Sequence, residues 1–174
     1  SVRAGNVIGG GDWAQDRLIP DIMRAINKNK TVIIRNPNSI RPWQHVLEPL
    51  SGYLLLGSKL LKGETKLADC WNFGPLFNYD YTVKQVLDSI KILWDDLVYE
   101  VEKVENLHEA SLLKLDCTKA LTNLGWRPVW DFFTSIEVTT NWYKNYYQFG
   151  KLNSFDDLAK YISEAKNSNL EWAL

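Results

Sequence analysis

Apolar residues recur at helical spacing in several stretches of the 174-residue chain. Between Asp16 and Asn27, the positions Leu18, Ile19, Ile22, Met23 and Ile26 form one face, with Pro20 tolerated in the first turn. From His45 to Lys62 a second stripe, Val46, Leu47, Leu50, Leu54, Gly57, Leu60 and Leu61, predicts a longer helix with Pro49 in its first turn. Thr82 and Gln85 have capping-box spacing ahead of Val83, Val86, Leu87, Ile90, Leu93 and Trp94, a third helix. A short helix follows Thr118 and stops at Gly125. An aromatic-rich helix covers 134–149, with Ile136, Trp142, Tyr143 and Tyr146 inward, and a last one starts at a capping Ser154.

Other segments have the signature of strands. The run SVRAGNVI is read as one buried strand halted by Gly9-Gly10-Gly11, and TVIIR as another before the turn at Asn36–Ser39. CWNFG is a strand ending at Gly74-Pro75, LVYEVEKV alternates as a half-exposed strand does, and 112–115 offers a further one. The expected whole is a mixed α/β chain of about four short strands and five or six helices.

Composition narrows the class. A 45% hydrophobic content and eight tryptophans support a packed core. Two cysteines, Cys70 and Cys117, form no disulfide framework, so a cytoplasmic setting is expected. Two histidines without a cysteine cluster argue against structural zinc. No apolar run spans a bilayer, and no membrane partner is expected.

Charge is unevenly placed. The net charge is −1, yet residues 1–41 carry seven basic groups against three acidic ones and five of the six arginines. Such a local cluster fits a small anionic ligand better than nucleic acid, which favours a wholly basic face. Arginine grips phosphate through a planar fork. Arg35, ending a strand, and Arg41, after a short turn, are placed to converge on one ligand, with Trp43 and His45 close behind. Asn72, between Trp71 and Phe73, needs a hydrogen-bond partner in backbone or ligand. His108 is a contact either for a ligand or within its loop.

The glycine triplet can cradle an anion or simply turn the chain, and it lacks the G-x-G-x-x-G spacing of a dinucleotide loop. Two Tyr-x-x-x-Lys spacings, Tyr99/Lys103 in a strand and Tyr147/Lys151 across Gly150, sit in the wrong local structure for a catalytic pair. No nucleophile elbow, metal motif or paired catalytic carboxylates are evident.

Whole phrases of the chain, R-x-G-N-V-I-G-G-G-D-W, D-R-L-I-P-D, I-R-N-P-x-x-I-R-P-W-Q-H-V-L-E-P-L-x-G-Y, W-N-F-G-P and H-E-A-x-x-L-K-L-D, resemble the CDP-glucose 4,6-dehydratases. These belong to the extended short-chain dehydrogenase/reductase group, and the resemblance runs collinearly over roughly residues 1–145. It implies the C-terminal part of a Rossmann-type enzyme: the last Rossmann strand and a small mixed α/β domain that binds the nucleotide sugar. Residues 1–150 would form that region and 151–174 a helical tail.

For the intact enzyme the resemblance implies an NAD-dependent lyase, a likeness that carries oxidation at C4, loss of water across C5–C6 and return of hydride to C6. The product, CDP-4-keto-6-deoxyglucose, would feed dideoxy sugars of bacterial surface polysaccharide such as O-antigen. The substrate-binding residues carried over are Asn6, Arg17, Leu18, Arg35, Arg41, Asn72 and, on looser spacing, His108. The glycine-rich NAD loop and the catalytic Tyr-x-x-x-Lys of the family would precede Ser1. The chain alone is therefore expected to bind no NAD and to be inactive, to need the missing NAD domain as partner, and to be a homodimer when intact. Two alternatives stay open: part of another nucleotide-sugar epimerase or dehydratase, and a non-catalytic nucleotide-sugar-binding module.

Overall fold

A computed structural model describes residues 1–76, 80–102 and 112–174. Its first strands already depart from the sequence reading. SVRAGNVI is not one strand: β1 (Val2–Ala4) and β2 (Asn6–Ile8) are separated at Gly5 and belong to different pairings. A Cβ at Gly5 would lie 2.5 Å from the Pro42 ring and 2.7 Å from its carbonyl oxygen. Only glycine permits that approach, and the chain changes partner there.

After a loop come α1 (Leu18–Asn27), β3 (Val32–Ile34), β4 (Ile40–Arg41), β5 (Trp43–His45) and α2 (Leu47–Leu61). Strands β4 and β5 are additions to the expected set, and the helix begins at Leu47 rather than His45. Pro42, which has no N–H to give to a ladder, divides the two strands. Next are β6 (Trp71–Phe73), β7 (Tyr81–Thr82), α3 (Val83–Leu93), β8 (Tyr99–Val101), α4 (Thr118–Leu124), α5 (Phe132–Phe149) and α6 (Ser154–Asn167). Among the described residues β1–β6, β2–β5 and β3–β8 pair in parallel, and β4–β7 pair antiparallel. The expected strand over 112–115 is reduced to a bridge between Leu112 and Ile40.

Helix ends follow local chemistry. Thr82 accepts from the Gln85 amide at 3.2 Å while Gln85 Oε1 accepts from the Thr82 amide at 2.9 Å, the reciprocal box expected for α3. Gly125 closes α4 with φ +71°, as its position in the sequence requires. Helix α5 starts two residues early because Asp131 caps it, accepting from Thr134 N–H at 2.8 Å. Asn153, not Ser154, occupies the N-cap of α6, and the Ser154 hydroxyl instead accepts from Trp142 Nε1–H at 2.9 Å.

The main core packs α1, α3 and α5 together: Ile22, Met23, Val86, Leu87, Ile90 and Tyr143 are wholly buried. A second cluster joins Leu56, Trp71, Phe73 and Trp126. Helix α2 meets the expectation only in part: Leu47 and Leu60 pack against the core as expected. Leu54 and Leu61 of its apolar stripe are 74% and 91% exposed, whereas Glu48, Ser51, Gly52 and Leu56 face inward. Gly52 fixes that face, since a Cβ there would lie 2.3 Å from the Phe73 ring. On α5, Ile136, Trp142 and Tyr143 are buried as expected, but Tyr146 is partly exposed.

No helix among the described residues is long and apolar enough to cross a membrane.

Candidate functional site

Parallel pairing of β2 with β5 sets the floor of an open cleft of about 630 Å³, a size suited to a small-molecule ligand. One wall is the loop from Gly9 to Leu18, which leads into α1. The other is built from the end of β3, the turn after it, and Arg41 and Trp43 on β4 and β5.

Five of the seven residues singled out from sequence line this one cleft: Asn6, Arg17, Leu18, Arg35 and Arg41. Arg17 occupies the N-cap position of α1 with extended backbone, and its guanidinium makes no polar contact among the described residues. Arg41 is partly buried and donates from Nη1 to the Ile40 carbonyl at 2.9 Å, which limits its rotamers. Arg35 lies 3.9 Å from Glu102, but both side chains are more than half exposed, so the pair is weak and easily exchanged for a ligand. The Asn6 side-chain amide has no hydrogen-bond partner among the described residues. The three guanidinium groups and one amide together suit the oxygens of a diphosphate.

Asn72 is not in the cleft. It lies on β6 opposite Arg3, and its Nδ2 donates to the Asp116 carbonyl at 3.1 Å, so its partner is backbone. His108 and Lys103 fall outside the described residues. Tyr99 donates its hydroxyl to Asp88 at 3.0 Å, and Tyr147 packs in an aromatic group on α5, so neither Tyr-x-x-x-Lys spacing has a described catalytic setting. The structure adds Asp12, Asp16, Asn36 and Ser39 to the cleft, none of them singled out in sequence. A non-glycine residue at φ +60°, Asp16, stands beside Arg17, a conformation that sequence reading does not reveal.

The glycine triplet divides its duties. Gly9 lines the cleft, while Gly10 lies against the Trp142 indole, where a Cβ would come within 2.1 Å of the ring. The turn is thus shaped by packing on α5 and does not fit a dinucleotide cradle, which needs its glycines beneath a pyrophosphate.

Behind the floor, His45 and Glu48 are buried. His45 accepts from the Leu47 amide at Nδ1 and meets Trp130 edge-on at 4.8 Å, and burial lowers its pKa to about 4. Glu48 accepts from the amides of Trp130 (2.7 Å) and Val129 (3.0 Å) and from the Tyr161 hydroxyl (2.8 Å). Burial pushes Glu48 up to about 7, against the opposing pull of those three donors. Neither residue lines the cleft.

Comparison with known proteins adds similarity in sequence and in fold. The chain is 52% identical over 145 residues to CDP-glucose 4,6-dehydratase from Salmonella typhimurium (strain LT2), covering 83% of this chain. It spans 40% of that relative's length. No family model matches. Among solved structures, UDP-glucuronic acid 4-epimerase from Bacillus cereus, in complex with UDP-glucuronic acid and NAD, aligns with TM-score 0.68 at 14% identity, over 83% of this chain and 44% of that one. The dTDP-glucose 4,6-dehydratase from Bacillus anthracis, in complex with NAD, aligns with TM-score 0.62 at 19% identity, over 83% and 44%. An epimerase from Methanothermobacter thermautotrophicus aligns with TM-score 0.70 at 18% identity, over 84% and 43%. The chain is thus similar in sequence to CDP-glucose 4,6-dehydratase and shares its fold with part of the solved sugar-nucleotide epimerases and dehydratases.

Proposed function

We propose that this chain is the nucleotide-sugar-binding part of a sugar-nucleotide 4,6-dehydratase, an NAD-dependent lyase that converts CDP-glucose to CDP-4-keto-6-deoxyglucose. The observation that carries the reading is the convergence of Arg17, Arg35, Arg41 and Asn6 on one cleft. The 52% identity to CDP-glucose 4,6-dehydratase supports the choice of sugar nucleotide. In this reading the guanidinium groups hold the diphosphate and Leu18, Ile33 and Trp43 supply apolar contact for the rest of the ligand. The sugar's oxidation, dehydration and reduction belong to NAD and to residues outside these 174, so the chain alone binds the sugar nucleotide without turning it over.

Two features fit a polypeptide that works with the further length its relatives possess. One is the β1 edge beyond β6, its one partner among the described residues, with Val2 41% exposed; the other is the exposed pair Leu54 and Leu61 on α2. An NAD-binding domain is the partner we assign to this side, and a homodimer is the assembly we assign to the intact enzyme. A cytoplasmic enzyme supplying deoxysugars for surface polysaccharide is the corresponding role.

Calorimetric titration with CDP-glucose, UDP-glucose and dTDP-glucose tests this. Binding of CDP-glucose at least tenfold tighter than of the other two is expected. Equal affinities would contradict the cytidine assignment, and no binding by the folded chain would contradict the sugar-nucleotide site.

A further inference from the structure

Two residues that touch no part of the cleft hold one of its walls. The loop from Gly9 to Arg17 presents Gly9, Asp12, Asp16 and Arg17 to the cleft, yet its other side is tied to two helices. Trp13 points away from the cleft and lies among four rings of α5. Its ring centroid is 6.2 Å from Trp142, 5.4 Å from Tyr143, 5.2 Å from Tyr146 and 6.0 Å from Tyr147, with tilted or edge-on geometry in every case. Such contacts are the favourable arrangements of aromatic quadrupoles. Tyr143 adds a hydrogen bond from its hydroxyl to the Asp12 carbonyl at 2.6 Å.

Arg24 completes the hold from α1. Its Nη1 donates to the Trp13 carbonyl at 3.0 Å, and Nη2 donates to the Ala14 carbonyl at 2.9 Å and to Asp21. One guanidinium therefore spans two consecutive carbonyls and an acid, a geometry that lysine does not reproduce. By sequence Arg24 belongs to the basic cluster facing a ligand. In the fold it is committed to the loop backbone.

We propose that Trp13 and Arg24 are positioning residues for sugar-nucleotide binding, acting through the loop that carries Arg17. This rests on the cleft being the sugar-nucleotide site. Arg17 sits three residues beyond the last clamped carbonyl, after Asp16 at φ +60°. Fixing Trp13 and Ala14 leaves a three-residue span, Gln15–Arg17, to be ordered before the α1 helix, so less conformational freedom is lost when the Arg17 guanidinium meets an anion. Trp13 keeps 44% of its surface exposed, so its burial is a modest part of the core while its ring contacts fix the direction of the loop.

The test is a double-mutant cycle on CDP-glucose affinity in the 174-residue chain. Trp13→Ala and Arg24→Met are each expected to raise Kd about tenfold, with Trp13→Phe within threefold of the parent. Added to Arg17→Ala, either substitution should weaken binding less than threefold further, because the group it positions is already gone. Full multiplication of the two losses, or an unchanged Kd in Trp13→Ala, overturns the proposal. Arg24→Lys gives a milder variant should Trp13→Ala not fold.

Absence of CDP-glucose binding by the parent chain would strike the sugar-nucleotide reading instead, and amide exchange then decides the positioning claim. Exchange over residues 9–17 should rise at least tenfold in Trp13→Ala while α5 stays protected. Unchanged loop exchange overturns it.

Discussion

The cleft and the knot around Glu48 both handle charge, and they do so in opposite ways. In the cleft, Arg17 and Arg35 keep their guanidinium groups in solvent with no partner or a distant one among the described residues. At the knot, a carboxylate with no exposed surface is enclosed by two backbone amides and a tyrosine hydroxyl. Exposed cations retain hydration and stabilise the fold little, so they are available to an anion. A buried carboxylate joins three segments: α2, the bend at Val129–Trp130, and α6 through Tyr161. The lesson is that substitutions at the first should change ligand affinity with small effects on stability, and at the second the reverse.

Removal of the knot's centre has the largest expected effect. Glu48→Ala leaves two buried amides and the Tyr161 hydroxyl without their acceptor and should cost about 4 kcal/mol in urea unfolding. A cost under 1 kcal/mol would show the knot to be incidental. Truncation after Gly150 should also destabilise the remaining chain, because Trp142, Trp130 and Arg127 donate to Ser154, Glu164 and Ser168 of the tail.

The knot has a pH signature as well. Glu48 holds its proton more tightly folded, near 7, than its ordinary value of 4.5, so its contribution is fully present below about 4.5 and is lost as pH rises through 7. The span corresponds to about 3 kcal/mol. His45 has the opposite sign: its folded value near 4 lies below 6.5, so stability falls as pH drops from about 6.5 towards 4. In the parent the two oppose each other between 4.5 and 6.5. Glu48→Gln removes the first, and across that window its unfolding free energy should then rise with pH relative to the parent's, against the remaining opposing contribution of Asp157, whose pKa burial raises to about 6. A flat profile in both proteins would contradict the assignment.

On the cleft side, Arg17→Ala should weaken CDP-glucose binding about tenfold with a stability change under about 0.5 kcal/mol. The smallest effect belongs to Glu102→Gln, which releases Arg35 from an exposed pair and should change stability by less than about 0.5 kcal/mol. Any gain in affinity there would confirm that Arg35 is held back by Glu102. Asn72→Ala separates the two regions: with its amide bound to the Asp116 carbonyl, it should cost about 1 kcal/mol in stability and leave affinity within threefold.

How much of this was legible in the sequence depends on whether the signal was local. The box at Thr82 and Gln85 and the stop at Gly125 were, because they act on atoms a few residues away, although the Asp131 cap of α5 was missed and Asn153 stands where Ser154 was expected. Clustering of arginine led to the cleft, since Arg17, Arg35 and Arg41 lie on segments that meet through the β2–β5 pairing. The other failures came where contacts are distant in sequence. Gly5 divides a strand because Pro42 crosses it, and Gly52 seats α2 against Phe73 so that Leu54 and Leu61 of its apolar stripe face out. Arg24, one of the basic groups counted over residues 1–41, holds loop backbone, and Asn72 found its partner in Asp116, forty-four residues away.

The most direct test of the central claim is calorimetric titration of CDP-glucose into the parent chain and into Arg41→Ala. The account predicts saturable binding by the parent and a Kd raised about 10- to 100-fold in Arg41→Ala, the loss of one charged hydrogen-bonding group. Equal affinity in the two proteins would contradict the placement of the sugar nucleotide in this cleft.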